Sequence, residues 1–310
     1  MAQTSISDCA DALSSQYETV NYNNTIPLTT YTNLHELKID NVIGSNCIGM
    51  SAALINGGLT NFCLYPAYKY TSSQPTHRHG LVNHVVVGSK QDNNFIMLET
   101  SSDTSEPFVI TFDETNMGDQ QKRSLACDGS VITFKGTLGT KPITWCVCDT
   151  NIKLEGNSLK TILEEIKWSD SRIVQKRNKK GERVFQLTLK QDGKHTYGVH
   201  EKDKWKNKTF EVNDTNRNFA EKMLGIDDAQ KKKQFWGNID KLLEEWSDIN
   251  SMISGLTLQN FYDTAQNINN KMLCDKLVSF AKENLSNLDQ NRFSSLPSKL
   301  VSLINNTISN

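Results

Sequence analysis

The sequence has no long apolar run. Nowhere in its 310 residues does a stretch approach the ~20 consecutive apolar residues that cross a bilayer, which excludes a membrane-spanning helix. It has almost no net charge. Lys and Arg number 34 against 35 Asp and Glu, so no whole-chain field directs it to nucleic acid or to an anionic membrane surface. Met1–Asp8 lacks a basic segment followed by an apolar one, so no secretory signal peptide is expected there. The seven cysteines, at 9, 47, 63, 127, 146, 148 and 274, are odd in number and scattered, unlike the paired spacing of a secreted disulfide scaffold. Asn-x-Ser/Thr sequons at Asn23, Asn207, Asn213, Asn284 and Asn305 read as products of an Asn-rich composition. A reducing cytoplasm is the expected location. The chain also lacks an internal repeat and any phosphate-binding glycine pattern.

What is present reads as α+β, in three segments. Residues 1–115 hold a short helix at Ser7–Tyr17, a weak second helix from Thr32, and a compact unit of helix and strands. That unit contains strands at Thr60–Tyr65, Asn83–Gly88, Asn94–Glu99 and Phe108–Phe112. Residues 116–215 read as an antiparallel, barrel-like β segment. Its strands are Ser130–Phe134, Ile143–Cys148, Arg172–Lys176, Arg183–Leu189 and Thr196–His200, with one more at Thr209–Val212. A helix at Ser158–Trp168 interrupts them. Polar turns at Asn178–Gly181 and Gln191–Lys194 mark hairpins. From 216 to 310 the apolar period becomes helical, through Phe219, Met223 and Ile226, then Leu242, Leu243, Trp246 and Ile249, then Met272–Phe280, and finally Pro297–Ile304. These helices are a layer, a lid, or a surface for a protein partner.

The chemistry concentrates in the first segment. Ile43-Gly44-Ser45-Asn46-Cys47 reads as a tight turn feeding an apolar, small-residue helix, which sets Cys47 at a helix N-terminus. A thiol there gains acidity, because the aligned peptide dipoles favour the thiolate. His84 opens one strand and Glu99 closes the next, 37 and then 15 residues further on. An imidazole in reach of a thiol takes its proton, and a carboxylate orients the imidazole. Any one of the three alone reads more simply as a core residue; the ordered set points to a thiol nucleophile, a base and an orienting acid. Asp103 is a second candidate for the acid if the strand ends early.

This order and spacing resembles the arylamine N-acetyltransferases and, more widely, the transglutaminase-like thiol enzymes of the papain fold. The resemblance covers residues 40–115. It implies a papain/transglutaminase-like Cys-His-acid core with Cys47 as nucleophile, His84 as base and Glu99 as orienting acid, followed by a β segment and a helical or mixed third segment. It further implies an acyl-CoA donor such as acetyl-CoA, used as substrate rather than held as cofactor, and a small amine acceptor. The residues flanking Cys47 differ from that family. Its Arg-Gly-Gly approach is replaced by Ile43-Gly44-Ser45-Asn46, the acid is Glu rather than Asp, and Thr100-Ser101-Ser102-Asp103 follows it.

The function expected is therefore a thiol acyltransferase, working through a cysteine thioester with backbone N–H groups at the helix start as oxyanion donors. A transglutaminase-like or papain-like amidase or protease is the alternative reaction. A binding protein with a degenerate site is the alternative class. His77, His79, Asn83 and Asp103 are expected to border the substrate. His77, His79 and His84 also read as a zinc cluster, with Cys63 the only candidate for a further donor, but a polar loop bordering the substrate is the simpler reading and no metal site is expected. Cys146 and Cys148 read as packed strand thiols. Arg172, Lys176, Arg177, Lys179, Lys180, Arg183, Lys190 and Lys194 form a basic meander, with Tyr197 and Trp205 near its end. It reads as a solvated hairpin surface, or less simply as a polyanion-steering one.

Overall fold

The computed structural model describes residues 4–26, 34, 37–59, 61–70, 84–101, 105–112, 119–120, 123–128, 131–138, 141–154, 171–201, 204–268 and 271–308. The helix expected at Ser158–Trp168, the start of the one expected from Thr32, and His77, His79, Asn83 and Asp103 lie outside the described residues. So do the side chains of Cys146 and Cys148.

Among the described residues the strands form two antiparallel sheets. The first has eight strands in the order β5-β4-β3-β2-β9-β8-β7-β6. These are β2 (Cys63–Tyr70), β3 (His84–Gln91), β4 (Asn94–Leu98), β5 (Phe108–Thr111), β6 (Asp119–Gln120), β7 (Arg123–Asp128), β8 (Val131–Leu138) and β9 (Lys141–Asp149). The second has five, in the order β1-β10-β11-β12-β13. They are β1 (Tyr22–Asn23), β10 (Ser171–Arg177), β11 (Arg183–Lys190), β12 (Thr196–Glu201) and β13 (Lys204–Thr209).

Strand pairing does not follow a boundary at residue 115. The strands at 119–149 continue the first sheet instead of joining the meander. The reason lies in β2, which is longer than its sequence pattern indicates and uses both of its edges. Cys63–Ala67 pairs with β3, and Ala67–Tyr70 pairs with β9. The last meander strand is also displaced, to Lys204–Thr209. It is an exposed edge whose lysines Lys206 and Lys208 pair with Glu201, so it carries no apolar alternation to read. A charged edge of this kind resists pairing with another chain.

Each face of the first sheet buries its own core. Two helices, α1 (Ile6–Thr19) and α2 (Cys47–Asn56), cover one face. Cys9, Leu13, Tyr17, Ile48, Met50 and Leu54 pack there against Val85, Val87, Ile96 and Leu98. Leu34 and Leu37, on which the second helix was expected to start, join this core partly buried. Tyr65, Val86, Phe95, Met97, Phe108 and Ile110 form the other core. The alternation of Val85 and Val87 against Val86 follows from the two-residue period of a strand.

The second sheet turns Val174, Phe185, Leu187 and Leu189 to the C-terminal helices. Those helices include α3 (Asp214–Leu224), α4 (Ala229–Ser254) and α6 (Lys271–Asn284), with α5 (Phe261–Gln266) between the last two. After them come α7 (Gln290–Phe293) and α8 (Ser298–Ile308). Their apolar faces, including Phe235, Trp246, Ile249, Leu277 and Ile304, meet within this same core. The helical segment is therefore a layer on the second sheet. No helix among the described residues is long and apolar enough to cross a membrane.

Candidate active site

The segment before α2 is fixed by asparagine side chains. Asn21 donates to the carbonyl of Val42 at 2.6 Å and to that of Leu224 at 3.0 Å, and Asn23 donates to Ile43 at 2.8 Å. Ser45 then exchanges strand-like bonds with the β1 segment, donating its N–H to Asn21 O and accepting at its own carbonyl from Asn23 N–H. Asn46 caps the helix. Its Oδ1 accepts from the N–H groups of Ile48 and Gly49 at 3.0 and 3.2 Å, satisfying two donors that a helix start leaves without partners. Cys47 is consequently the first residue of α2, as expected, and is only 4% exposed. α2 packs against β3.

His84 is the first residue of β3, and Glu99 follows the last residue of β4. Both are buried, at 3% and 2% exposure. The structure brings them together: His84 Nε2 lies 2.8 Å from Oε1 and 2.9 Å from Oε2 of Glu99. Ser101 adds two further donors to Oε1, its N–H and its hydroxyl, each at 2.9 Å. A carboxylate surrounded by donors can only accept, so the proton sits on Nε2 and Nδ1 is the basic nitrogen of the neutral ring. Among the described residues, Glu99 is the acid bonded to the ring.

Residues from distant parts of the chain hold this pair. Tyr17 of α1 donates its hydroxyl to the Glu99 carbonyl at 2.7 Å, and Gln16 donates to the Met50 carbonyl at 2.7 Å. Arg177, from β10, reaches across from the second sheet to the carbonyls of Thr100 and Ser101 at 2.9 Å each. Sequence reasoning had placed Arg177 on a solvated meander. It is 5% exposed, and Arg172 is buried as well. Of these partners only Asn46 carried a readable signal, as an N-cap residue before a helical run. The others act across long separations: 34 residues for Gln16 and Met50, 82 for Tyr17 and Glu99, and 76 for Ser101 and Arg177.

No three His, Cys, Asp or Glu side chains among the described residues gather as metal donors. No protein-family profile and no curated protein sequence matches the chain. Solved structures do match, and consistently. An arylamine N-acetyltransferase of Mycobacterium smegmatis superposes with a TM-score of 0.55 over 73% of this chain and 87% of its own, at 10% identity. The enzyme of M. tuberculosis gives 0.52 over 74% and 91%, at 11% identity. That of Mycobacterium marinum, in complex with CoA, gives 0.52 over 76% and 93%, at 11% identity. The fold is that of the arylamine N-acetyltransferases. The likeness spans about three quarters of the chain, far beyond the stretch 40–115 in which the sequence shows it. At such identity it speaks for the fold, and the roles of individual residues rest on the geometry above.

Proposed function

We propose that this protein is a cysteine-dependent acyltransferase that carries an acyl group from a CoA thioester to an amine through a thioester on Cys47. The observation that carries this reading is the buried His84–Glu99 pair beside a helix that begins at Cys47. With Nε2 committed to Glu99, proton transfer with Cys47 runs through Nδ1. The imidazolium that forms is stabilised by the carboxylate, and the thiolate by the N-terminus of α2.

In the first half-reaction the Cys47 thiolate attacks the thioester carbonyl. The carbon–sulfur bond to CoA breaks, and the departing thiolate takes the proton held by His84. In the second, an amine attacks the acyl-cysteine, His84 removes the amine proton, and Cys47 leaves. The N–H groups of Ile48 and Gly49 are occupied by Asn46, so the oxyanion draws on donors other than these two. The fold likeness supports this assignment, and one of the similar enzymes is seen in complex with CoA.

Intact-mass measurement after incubation with acetyl-CoA tests the reading. One acetyl increment, mapped to Cys47 and absent in Cys47→Ala, is the expected result. Acylation by p-nitrophenyl acetate but not by acetyl-CoA would keep the thiol chemistry and assign a different donor. If Cys47 is neither acylated by any donor nor alkylated faster than free cysteine, the enzymatic reading fails.

A further inference from the structure

We infer that Arg177 is a positioning residue for the Glu99–His84 pair, so that the second sheet sets the geometry of a site whose reacting groups lie on the first sheet and on the helix that covers it. This rests on the catalytic reading above.

Arg177 is buried and directed. Its Nη1 donates to the Thr100 carbonyl and its Nη2 to the Ser101 carbonyl, both at 2.9 Å. Nη2 also donates to Gln175 Oε1 at 2.8 Å. The guanidinium lies over the Tyr17 ring, 5.0 Å from its centroid, and Tyr17 is itself bonded to the Glu99 carbonyl. Three successive carbonyls, at 99, 100 and 101, are therefore held by two side chains that stack on one another.

Ser101 makes this arrangement more than scaffolding. Its N–H and hydroxyl hold the Glu99 carboxylate, while its own carbonyl is held by Arg177. Moving Ser101 moves two of the donors on the acid. The strand is also shaped for the task. Register between β10 and β11 shifts between Lys176 and Arg177, and an irregularity of this kind re-aims a side chain at the end of a strand. A planar fork of donors suits two adjacent carbonyls, whereas an ammonium reaches them less well.

Without the fork, the turn after Glu99 relaxes and the acid holds the imidazolium less well. The Cys47 thiolate then forms at higher pH. The test is the pH profile of iodoacetamide alkylation at Cys47, together with kcat and KM for acyl transfer. In Arg177→Gln the alkylation midpoint is expected to rise by about one pH unit, which is a tenfold slower rate on the acidic limb. The kcat is expected to fall by a similar factor, with KM changing less than twofold (~2-fold at most). Arg177→Lys is expected to recover part of the loss, and Ser101→Ala to shift the profile the same way by less. Lys180→Gln, which removes an exposed charge from the same hairpin, is expected to leave it unchanged.

Thermal unfolding identifies any variant that fails to fold. If Arg177→Gln is such a variant, Arg177→Lys and Ser101→Ala carry the test. Folded variants with the wild-type profile overturn the inference and leave the acyltransferase reading standing. A wild-type Cys47 no more reactive than free cysteine overturns that reading instead. In that case the ring N–H resonance of His84 decides the positioning role, which is refuted if the signal is identical in wild type and Arg177→Lys.

Discussion

The Tyr17 hydroxyl donates to the backbone carbonyl of Glu99 at 2.7 Å, across 82 residues of chain. It ties the first helix to the proposed orienting acid, and both partners are buried. Tyr17→Phe removes the donor and keeps the ring. The buried carbonyl then loses its partner at a cost of about 1–2 kcal/mol. Because the ring still supports Arg177, the effect on Cys47 acylation is expected to be only a few-fold. Thermal unfolding and the single-turnover acylation rate measure the two effects separately. A loss of activity as large as that in Glu99→Gln would show that the hydroxyl does more than hold the backbone.

Glu99→Gln tests the acid directly. The amide keeps nearly the same shape and loses the charge that stabilises an imidazolium. It also presents donors as well as an acceptor, so the ring tautomer is no longer imposed. A comparable change at an orienting acid reduces kcat by about four orders of magnitude, and a loss approaching that is expected for single-turnover acylation. Full activity in this variant would remove Glu99 from the mechanism and return Asp103 to consideration.

How much of this was legible in the sequence depended on how far apart the interacting residues lie. The positions of Cys47, His84 and Glu99 at element ends could be read because each element has a local period: a helix opening on a small-residue run, and two alternating strands joined by a polar turn. The meander from Arg172 to His200 was legible for the same reason. Arg177 was not. Lysines and arginines crowd its meander, and nothing local distinguishes the buried Arg172 and Arg177 from those that face water. Tyr17 was hidden likewise, since its contact is with a partner remote in sequence. The pairing of β2 with β9 was missed because strand order is a tertiary choice, which a pattern of alternation does not record.

A second thiol provides an internal control for reactivity. Cys9 is fully buried in α1. Burial, with a smaller contribution from the charge of Asp8, pushes its thiol up to about 11. At neutral pH its thiolate fraction is then on the order of one in ten thousand. Peptide mapping of native protein treated with limiting iodoacetamide is expected to find Cys47 modified and Cys9 intact until the chain unfolds. The same shift makes a prediction for stability. A thiol whose pKa is raised by folding stabilises the native state below its unfolded value of 9.0 and loses that contribution as pH rises towards about 11. Urea unfolding at rising pH is expected to show this alkaline loss in wild type and a shallower one in Cys9→Ala. Equal slopes would place the alkaline sensitivity elsewhere.

Gly44 offers a test of how tightly the approach to Cys47 is built. Its φ is +82°, and a Cβ there would lie 2.1 Å from the Asn21 carbonyl oxygen. That oxygen accepts the Ser45 N–H at 3.1 Å, so the strand-like crossing that leads into α2 has no room for a side chain. Gly225 has a similar φ of +74°, but with nothing within 4 Å of an added Cβ. Alanine at Gly225 is expected to cost only the left-handed conformation, about 1–2 kcal/mol. Alanine at Gly44 adds the collision with backbone, which can be relieved only by parting the 45–21 contact. A total of about 3–4 kcal/mol is expected. Because the displaced segment ends at Asn46 and Cys47, Gly44→Ala is also expected to slow Cys47 alkylation, while Gly225→Ala leaves it unchanged. Equal destabilisation of the two variants, with equal thiol reactivity, would show that the crossing yields easily and does not fix where α2 begins.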